Sequence, residues 1–430
     1  MNICVAGLWH LGTVTAACLA SAGYRVAGFD FDEEVIRQLQ EGQPPLFEPG
    51  LEELIKTGLQ KETLFFTTDS LSALKNADIL WIAYDTPVDE EDHADIAFVT
   101  KRIERLFPHI AEGTLLIISS QLPAGTTRLL EQTYANLFPD KPVSFACLPE
   151  NLRLGSALSV FTSPDRVVAG IRSENDKKRL SELLHPFAER IEWMSVESAE
   201  MTKHAINSFL ATSVAFINEV ASLCEHVGAD AKEVERGLKS EMRIGPKAYL
   251  SPGGAFAGGT LARDIRFLKN LAVFHNQQSP LLANVLISNE LHKHWARNKL
   301  LSLFSSLKGI RVAVWGLTYK PGTDTLRRSL SIETCRWLVR KGAHVQAHDP
   351  AVKTLPSDIA KNVFLFDSEL AALSGAAALV VATEWPEYQT VSADSVLETG
   401  ATPLIVDPNR FLEKTLGKDP RLRYFTVGGV

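Results

Sequence analysis

Short apolar runs alternate with helical periodicity along the first part of the chain. Residues 2–7 read as a buried strand, followed by a short loop, an Ala-rich helix over 12–22, and a second strand, Tyr24-Arg-Val-Ala-Gly-Phe-Asp30. That is one βαβ unit. Further apolar runs at Ile79–Tyr84, Thr114–Ser119, Val143–Cys147 and Arg166–Ile171 have mostly helical stretches between them. This alternation predicts a mostly parallel sheet covered on both faces. From about 197 to 240 strands give way to helical periodicity (Met201, Ala205, Phe209, Val214, Ile217, Val220), and 262–303 is helical again. Between these segments lies Pro252-Gly-Gly-Ala-Phe-Ala-Gly-Gly259, and the αβ alternation resumes at Ile310.

The pattern contains a weak internal repeat. Ile3-Cys-Val-Ala-Gly-Leu-Trp9, ending at Asp30, resembles Val312-Ala-Val-Trp-Gly-Leu317, ending at Asp349. Gly7 to Asp30 spans 23 residues and Gly316 to Asp349 spans 33; an inserted polar loop, Thr318–Arg327, matches the extra ten. Two similar halves would let one hold a cofactor and the other a nucleotide-bearing substrate.

Composition narrows the classes. A chain of 430 residues exceeds one ordinary core, so two or three domains are expected. A net charge of −7 without long runs of one sign argues against nucleic acid and anionic membranes as partners. No continuous apolar run reaches the ~18–20 residues of a spanning helix. The N-terminus starts a strand at once, without a basic region, so no signal peptide and a cytoplasmic location are expected. Cys4, Cys18, Cys147, Cys224 and Cys335 are scattered and odd in number, and none forms a CxxC pair. They are expected as reduced core thiols, with no zinc site and no disulfide framework.

Gly7-Leu-Trp-His-Leu-Gly12 follows the first strand and opens the first helix, where a dinucleotide fingerprint has GxGxxG. Gly7 would supply the tight turn and Gly12 the close helix–strand contact. Trp9 replaces the middle glycine, while amides at the helix start, around His10 and Leu11, could still hold pyrophosphate. The His10 side chain, like Trp315 and His348, is expected to pack. Asp30 ends the second strand, where a carboxylate accepts from the adenosine ribose hydroxyls and repels a 2′-phosphate. No arginine at Phe31, Asp32 or Glu33 offsets that repulsion, so NAD is expected over NADP. The expected fold is α/β: two Rossmann-like parallel-sheet domains joined by a helical middle segment, divided as 1–198, 199–303 and 304–430.

Eight segments in order resemble the UDP-glucose/GDP-mannose dehydrogenase family. They are Pro44-Pro-Leu-Phe-Glu-Pro-Gly-Leu-Glu-Glu53, Leu148-Pro-Glu-Asn-Leu-Arg-Leu-Gly-Ser-Ala157, Pro164-Asp-Arg-Val-Val168, Lys203-His-Ala-Ile-Asn207, Arg243-Ile-Gly245, Thr260–Asp264, Gly316-Leu-Thr-Tyr-Lys-Pro-Gly-Thr-Asp324 and Thr383-Glu-Trp-Pro386. The resemblance implies an NAD domain, a helical dimer core and a C-terminal domain that binds a sugar nucleotide. In the family a hexose C6 alcohol is oxidised twice to a carboxylate. Lys203 and Asn207 are spaced i,i+4 and share a helix face. By resemblance they hold the reacting oxygens with an ordered water and Asp264, and Glu150 matches a catalytic carboxylate. Thr86 and Gln121 are further cofactor candidates. Lys320 and Arg327 could pair with substrate diphosphate. Arg243 and Tyr249 resemble sugar- and phosphate-contacting positions, with Leu152 and Gly258 as further substrate candidates.

Three departures share one direction. The family's second oxidation passes through a cysteine thiolate, and the matching residue here is Thr260, which is expected to be a helix N-cap rather than a nucleophile. The family's second glutamate is Leu154, and Gln121 replaces the threonine of a Ser-Thr-Val-Pro-type loop. The first oxidation keeps its residues while the later steps lose theirs. The sequence therefore points to an NAD-dependent nucleotide-sugar dehydrogenase of the UDP-glucose 6-dehydrogenase type, stopping after one oxidation. Its rivals are a four-electron enzyme with an altered mechanism, a β-hydroxyacid dehydrogenase, which the second nucleotide fold disfavours, and a silent sugar-nucleotide-binding protein, which needs no proton-transfer set.

Overall fold

The computed structural model describes residues 1–89, 94–150, 152–257, 259–400 and 403–429. The chain forms two compact units, Met1–Ile206 and Asn207–Val430.

The first unit holds an eight-stranded sheet in the order β3-β2-β1-β4-β5-β6-β7-β8. Its strands are β1 (Asn2–Ala6), β2 (Arg25–Phe29), β3 (Leu64–Thr67), β4 (Ile79–Ile82), β5 (Leu115–Ile118), β6 (Ser144–Cys147), β7 (Val167–Ile171) and β8 (Ile191–Ser195). All neighbours run parallel except β6 and β7, which meet antiparallel. The central strands read as unbroken apolar runs because both faces are covered. In β1, Ile3 and Val5 join one core cluster and Cys4 and Ala6 the other. The sequence expectation missed β3 and β8. Both are edge strands with partly exposed residues, and an edge needs less apolar sequence. The first helix, His10–Ser21, begins two residues before the expected 12 and is buried from Leu11 to Ala20.

The second unit holds a six-stranded parallel sheet in the order β11-β10-β9-β12-β13-β14. Its strands are β9 (Arg311–Trp315), β10 (His344–His348), β11 (Val363–Leu365), β12 (Ala378–Val381), β13 (Leu404–Val406) and β14 (Arg423–Phe425). Alternation repeats the first unit: Val312 and Val314 face one cluster, Ala313 and Trp315 the other. The helices Ala231–Ser240, Thr260–Phe274, Pro280–His292 and Trp295–Leu303 precede this sheet. One 32-residue helix, Val196–Val227, runs from the first unit into the second. It contains an 18-residue window of mean hydropathy 1.2, long and apolar enough to cross a membrane by those measures alone. The core helices of soluble proteins meet the same measures. The five cysteines are unpaired and buried.

Candidate active site

The turn after β1 has the geometry a dinucleotide site requires. Gly7 takes a φ of +95°, and a Cβ there would lie 2.5 Å from the Tyr84 backbone nitrogen. A Cβ on Gly12 would lie 1.7 Å from the Gly7 carbonyl oxygen. Gly7 N–H donates to the Phe29 carbonyl at 3.0 Å, and Leu8 N–H donates to Asp30 Oδ2 at 2.7 Å. Asp30 Oδ1 accepts from Asp32 N–H at 3.2 Å, and the half-buried carboxylate stands just past the end of β2. Trp9 occupies the N-cap with its ring 47% exposed and no side-chain cap bond, so it does not fill the turn. The helix start therefore fits a pyrophosphate despite the missing middle glycine. Thr86 and Gln121 also come together, with Thr86 Oγ1 donating to the Gln121 carbonyl at 2.7 Å.

His10 departs from the expected packing role. Its Nε2 lies 3.0 Å from Glu48 Oε2, a residue that sequence reasoning had not singled out within the 44–53 stretch. Glu48 also accepts from Gly155 N–H and Ala157 N–H, each at 2.8 Å. Burial raises the Glu48 carboxyl, but these bonds outweigh it and hold the group below the usual carboxylate value. One buried anion thus joins the cofactor turn to the loop that carries Glu150 and Leu152.

Lys203 projects from the Val196–Val227 helix to that loop. Its ammonium donates to the Glu150 carbonyl at 2.5 Å and lies 3.8 Å from Glu150 Oε1. Glu150 Oε2 accepts from Leu152 N–H at 2.7 Å, which orients the carboxylate. Two residues beside Lys203, also missed, hold the neighbouring loop. Glu200 accepts from Gly125 N–H (2.6 Å), Thr127 N–H (3.0 Å) and Thr127 Oγ1 (2.6 Å), and His204 Nε2 donates to the Leu122 carbonyl at 3.0 Å. Buried polar residues on the helix face of Lys203 were the available signal. Cys147 lines the same small cavity as Glu150 and Lys203, but burial pushes its thiol well up and away from a thiolate.

In the second unit Asn207 Nδ2 donates to Asp264 Oδ2, and both residues are buried. Thr260 opens the Thr260–Phe274 helix but does not cap it. Gly259, at φ +101°, is the N-cap, and no side chain caps the helix. The expected cap role is thus corrected: the helix already begins at Thr260, so its hydroxyl sits one position past the cap. Thr260 is exposed, and Asp264 one turn on is engaged by Asn207.

A cavity of about 380 Å³ opens beyond the C-terminal ends of β9 and β12, lined among others by Thr318, Lys320, Arg328, Thr383, Glu384 and Asn409. Gly316 repeats Gly7: φ is +88°, its N–H donates to the His348 carbonyl at 2.8 Å, and a Cβ would lie 2.5 Å from Thr383 N. Lys320 lines the cavity as expected. Arg327 is exposed and is not among the lining residues; its neighbour Arg328, at φ +61°, faces the cavity instead. Arg243 is exposed beside Glu241 at 3.0 Å and Tyr249 is exposed, and neither lines this cavity. Gly258 lies outside the described residues.

A dinucleotide turn, a lysine paired with a carboxylate and a second nucleotide fold define an NAD-dependent dehydrogenase acting on a CH–OH group. The descriptions of three matching family profiles agree: UDP-glucose/GDP-mannose dehydrogenase family NAD binding domain over residues 1–188, central domain over 197–291 and UDP binding domain over 313–414. A UDP-glucose 6-dehydrogenase of Pseudomonas aeruginosa is 35% identical over 421 residues, covering 95% of this chain and 93% of that protein. A UDP-glucose dehydrogenase structure from Pyrobaculum islandicum superposes with a TM-score of 0.84 at 28% identity, covering 100% of this chain and 98% of the other. A UDP-D-ManNAc dehydrogenase from Pyrococcus horikoshii also gives 0.84, at 25% identity, with 100% and 99% coverage. The chain belongs to the UDP-glucose/GDP-mannose dehydrogenase family.

Proposed function

We propose that the protein oxidises one hydroxyl-bearing carbon of a UDP-sugar and releases a carbonyl product after a single hydride transfer. The observation that carries this is the contrast between the Lys203–Glu150 pair and an exposed threonine at the nucleophile position. NAD, when bound, accepts the hydride. The Lys203 ammonium stabilises the oxygen as negative charge develops on it, and Glu150, whose Oε1 lies 3.8 Å from that ammonium, receives the hydroxyl proton. Asn207 fixes the orientation of the Asp264 carboxylate. Carrying an aldehyde onward requires an adduct from which a second hydride leaves. The Thr260 hydroxyl is far less acidic than a thiol, Cys147 is buried as the thiol, and Leu154, in place of a second glutamate, is 39% exposed and has no proton to move.

Incubation with NAD and a panel of UDP- and GDP-sugars, followed by mass spectrometry, tests this. A product two hydrogens lighter than one UDP-sugar is expected. A uronic acid as sole product rejects the single oxidation, and no turnover of any sugar favours a silent binding protein.

The working species is proposed to be a homodimer. Phe209, Phe216 and Leu223 are 69%, 50% and 68% exposed, and their seven-residue spacing puts them on one stripe of the Val196–Val227 helix. Sedimentation equilibrium should give a dimer at micromolar concentration, and Phe216→Glu should give a monomer.

A further inference from the structure

The loop that leads into Thr260 is held by four side chains from three separate places in the second unit. Asn218 accepts from Gly253 N–H at 3.0 Å and donates to the Gly254 carbonyl at 3.3 Å. Asn289 accepts from Phe256 N–H at 2.9 Å and donates to the Phe256 carbonyl at 2.8 Å. His292 Nε2 donates to the Gly253 carbonyl at 2.8 Å. These three belong to helices, and Asn218 and Asn289 are buried. They form the fixed side of the clamp.

The fourth contact differs. Asn409 follows β13 and lies at the wall of the Thr318–Asn409 cavity. Its Oδ1 accepts from Gly254 N–H at 2.6 Å, and Glu384, whose carboxyl the Asn409 side chain helps to hold down, lines the same cavity. With Oδ1 given to the loop, Nδ2 is the end of the amide that can act on the Glu384 carboxylate. The packing is close: a Cβ on Gly253 would lie 2.4 Å from Asn409 Oδ1, so the loop approaches this amide only because the residue there is glycine. A ligand that meets Glu384 acts on one end of a single planar amide whose other end holds Gly254.

We propose that Asn409 is a positioning residue that couples occupancy of this cavity by a nucleoside diphosphate to the ordering of the loop before Thr260. The coupling rests on the reading of the cavity as the nucleotide site of the UDP-binding domain. Burial and, secondarily, Asp407 raise the Glu384 carboxyl, so a ligand group arriving in the cavity meets a carboxyl sensitive to its surroundings. Asn409 gives that change a path to the loop through one planar amide.

The experiment uses the full chain and UDP as the probe. UDP binding is measured by calorimetry, and amide hydrogen exchange is followed over residues 253–257. In the wild type, saturating UDP should slow exchange in this segment at least tenfold. Asn409→Ala should still bind UDP and should lose both basal protection and the increment. Asn409→Asp keeps an acceptor for Gly254 N–H but cannot donate to Glu384. It should show wild-type basal protection without the increment, and its kcat should fall about fivefold to tenfold with a smaller change in KM. A UDP-dependent increment of wild-type size in Asn409→Asp overturns the proposal while leaving the nucleotide reading intact. If the wild type does not bind UDP, or Lys320→Ala binds it unchanged, both the reading and the proposal fail.

Discussion

The two sheets use one skeleton for opposite purposes. Each has a first strand ending in a positive-φ glycine, Gly7 or Gly316, whose N–H donates to the end of the second strand. Each has an aspartate after that second strand, and the amide following the glycine donates to it: Leu8 to Asp30 at 2.7 Å and Leu317 to Asp349 at 2.6 Å. There the likeness ends. Asp30 has one further protein donor and remains half-buried. Asp349 is buried, and its Oδ2 also accepts from Thr318 N–H, Thr318 Oγ1 and Trp385 Nε1, the last at 3.0 Å, while its Oδ1 accepts from Ala351 N–H. The first carboxylate keeps acceptor capacity that its own protein leaves open; the second is filled by its own protein. A repeated motif preserves the turn, but the donors around the carboxylate decide whether it binds a ligand or stabilises the fold.

The largest expected effect tests the shared part. Gly7→Ala and Gly316→Ala each force a Cβ to 2.5 Å from a backbone nitrogen at a left-handed φ, so each should cost at least ~3 kcal/mol and unfold its unit. Urea titration checks this, and tolerance at either glycine would break the equivalence of the turns.

The next pair should separate the aspartates. Asp349→Ala leaves several buried donors unpaired and should cost about 3–5 kcal/mol of stability, with NAD affinity within twofold of wild type. Asp30→Ala should cost under ~1 kcal/mol of stability but weaken NAD binding about 10- to 100-fold. Calorimetry with NAD and thermal melting of both variants decide it, and a common phenotype would contradict the division of roles. A smaller effect follows from the charge of Asp30: kcat/KM should favour NAD over NADP by at least ~10-fold, about 1.4 kcal/mol. Equal efficiency would remove Asp30 from the ribose site.

The smallest effect sharpens the contrast by pH. Burial lowers the His292 pKa below its ordinary 6.5. The unfolded chain then binds the proton more readily than the folded one. The contribution of His292 is therefore complete above pH 6.5 and is lost as pH falls from there toward the lowered folded value. The opening free energy of the second unit, from hydrogen exchange corrected for the intrinsic rate at each pH, should fall below pH 6.5, and His292→Gln should flatten that dependence.

Much of this was legible in the sequence because strand burial and turn glycines leave direct marks. The βαβ opening, the helical middle and the second sheet follow from apolar periodicity, Gly7 and Gly12 form the tight turn their spacing suggested, and Lys203 meets the Glu150 that the resemblance marked. The edge strands β3 and β8 were not legible, since half-exposed strands carry weak patterns. Glu48, Glu200 and the Asn218–Asn289–His292–Asn409 clamp were missed because their partners are backbone amides and carbonyls, which no side-chain pattern announces. The Arg327 expectation moved by one residue because Arg328 takes a positive φ that a helix or strand pattern does not foresee. Thr260 lost its expected cap role to Gly259 for a similar reason.

The central claim is that the site completes one oxidation and lacks the means for a second. Counting NADH formed per sugar at completion, with a carbonyl trap drawing the first step forward, tests it most directly. One NADH per UDP-sugar, with no covalent intermediate and little acid gained on Thr260→Cys, is the predicted result. Two NADH per sugar without the trap, with a uronic acid as product, would contradict it.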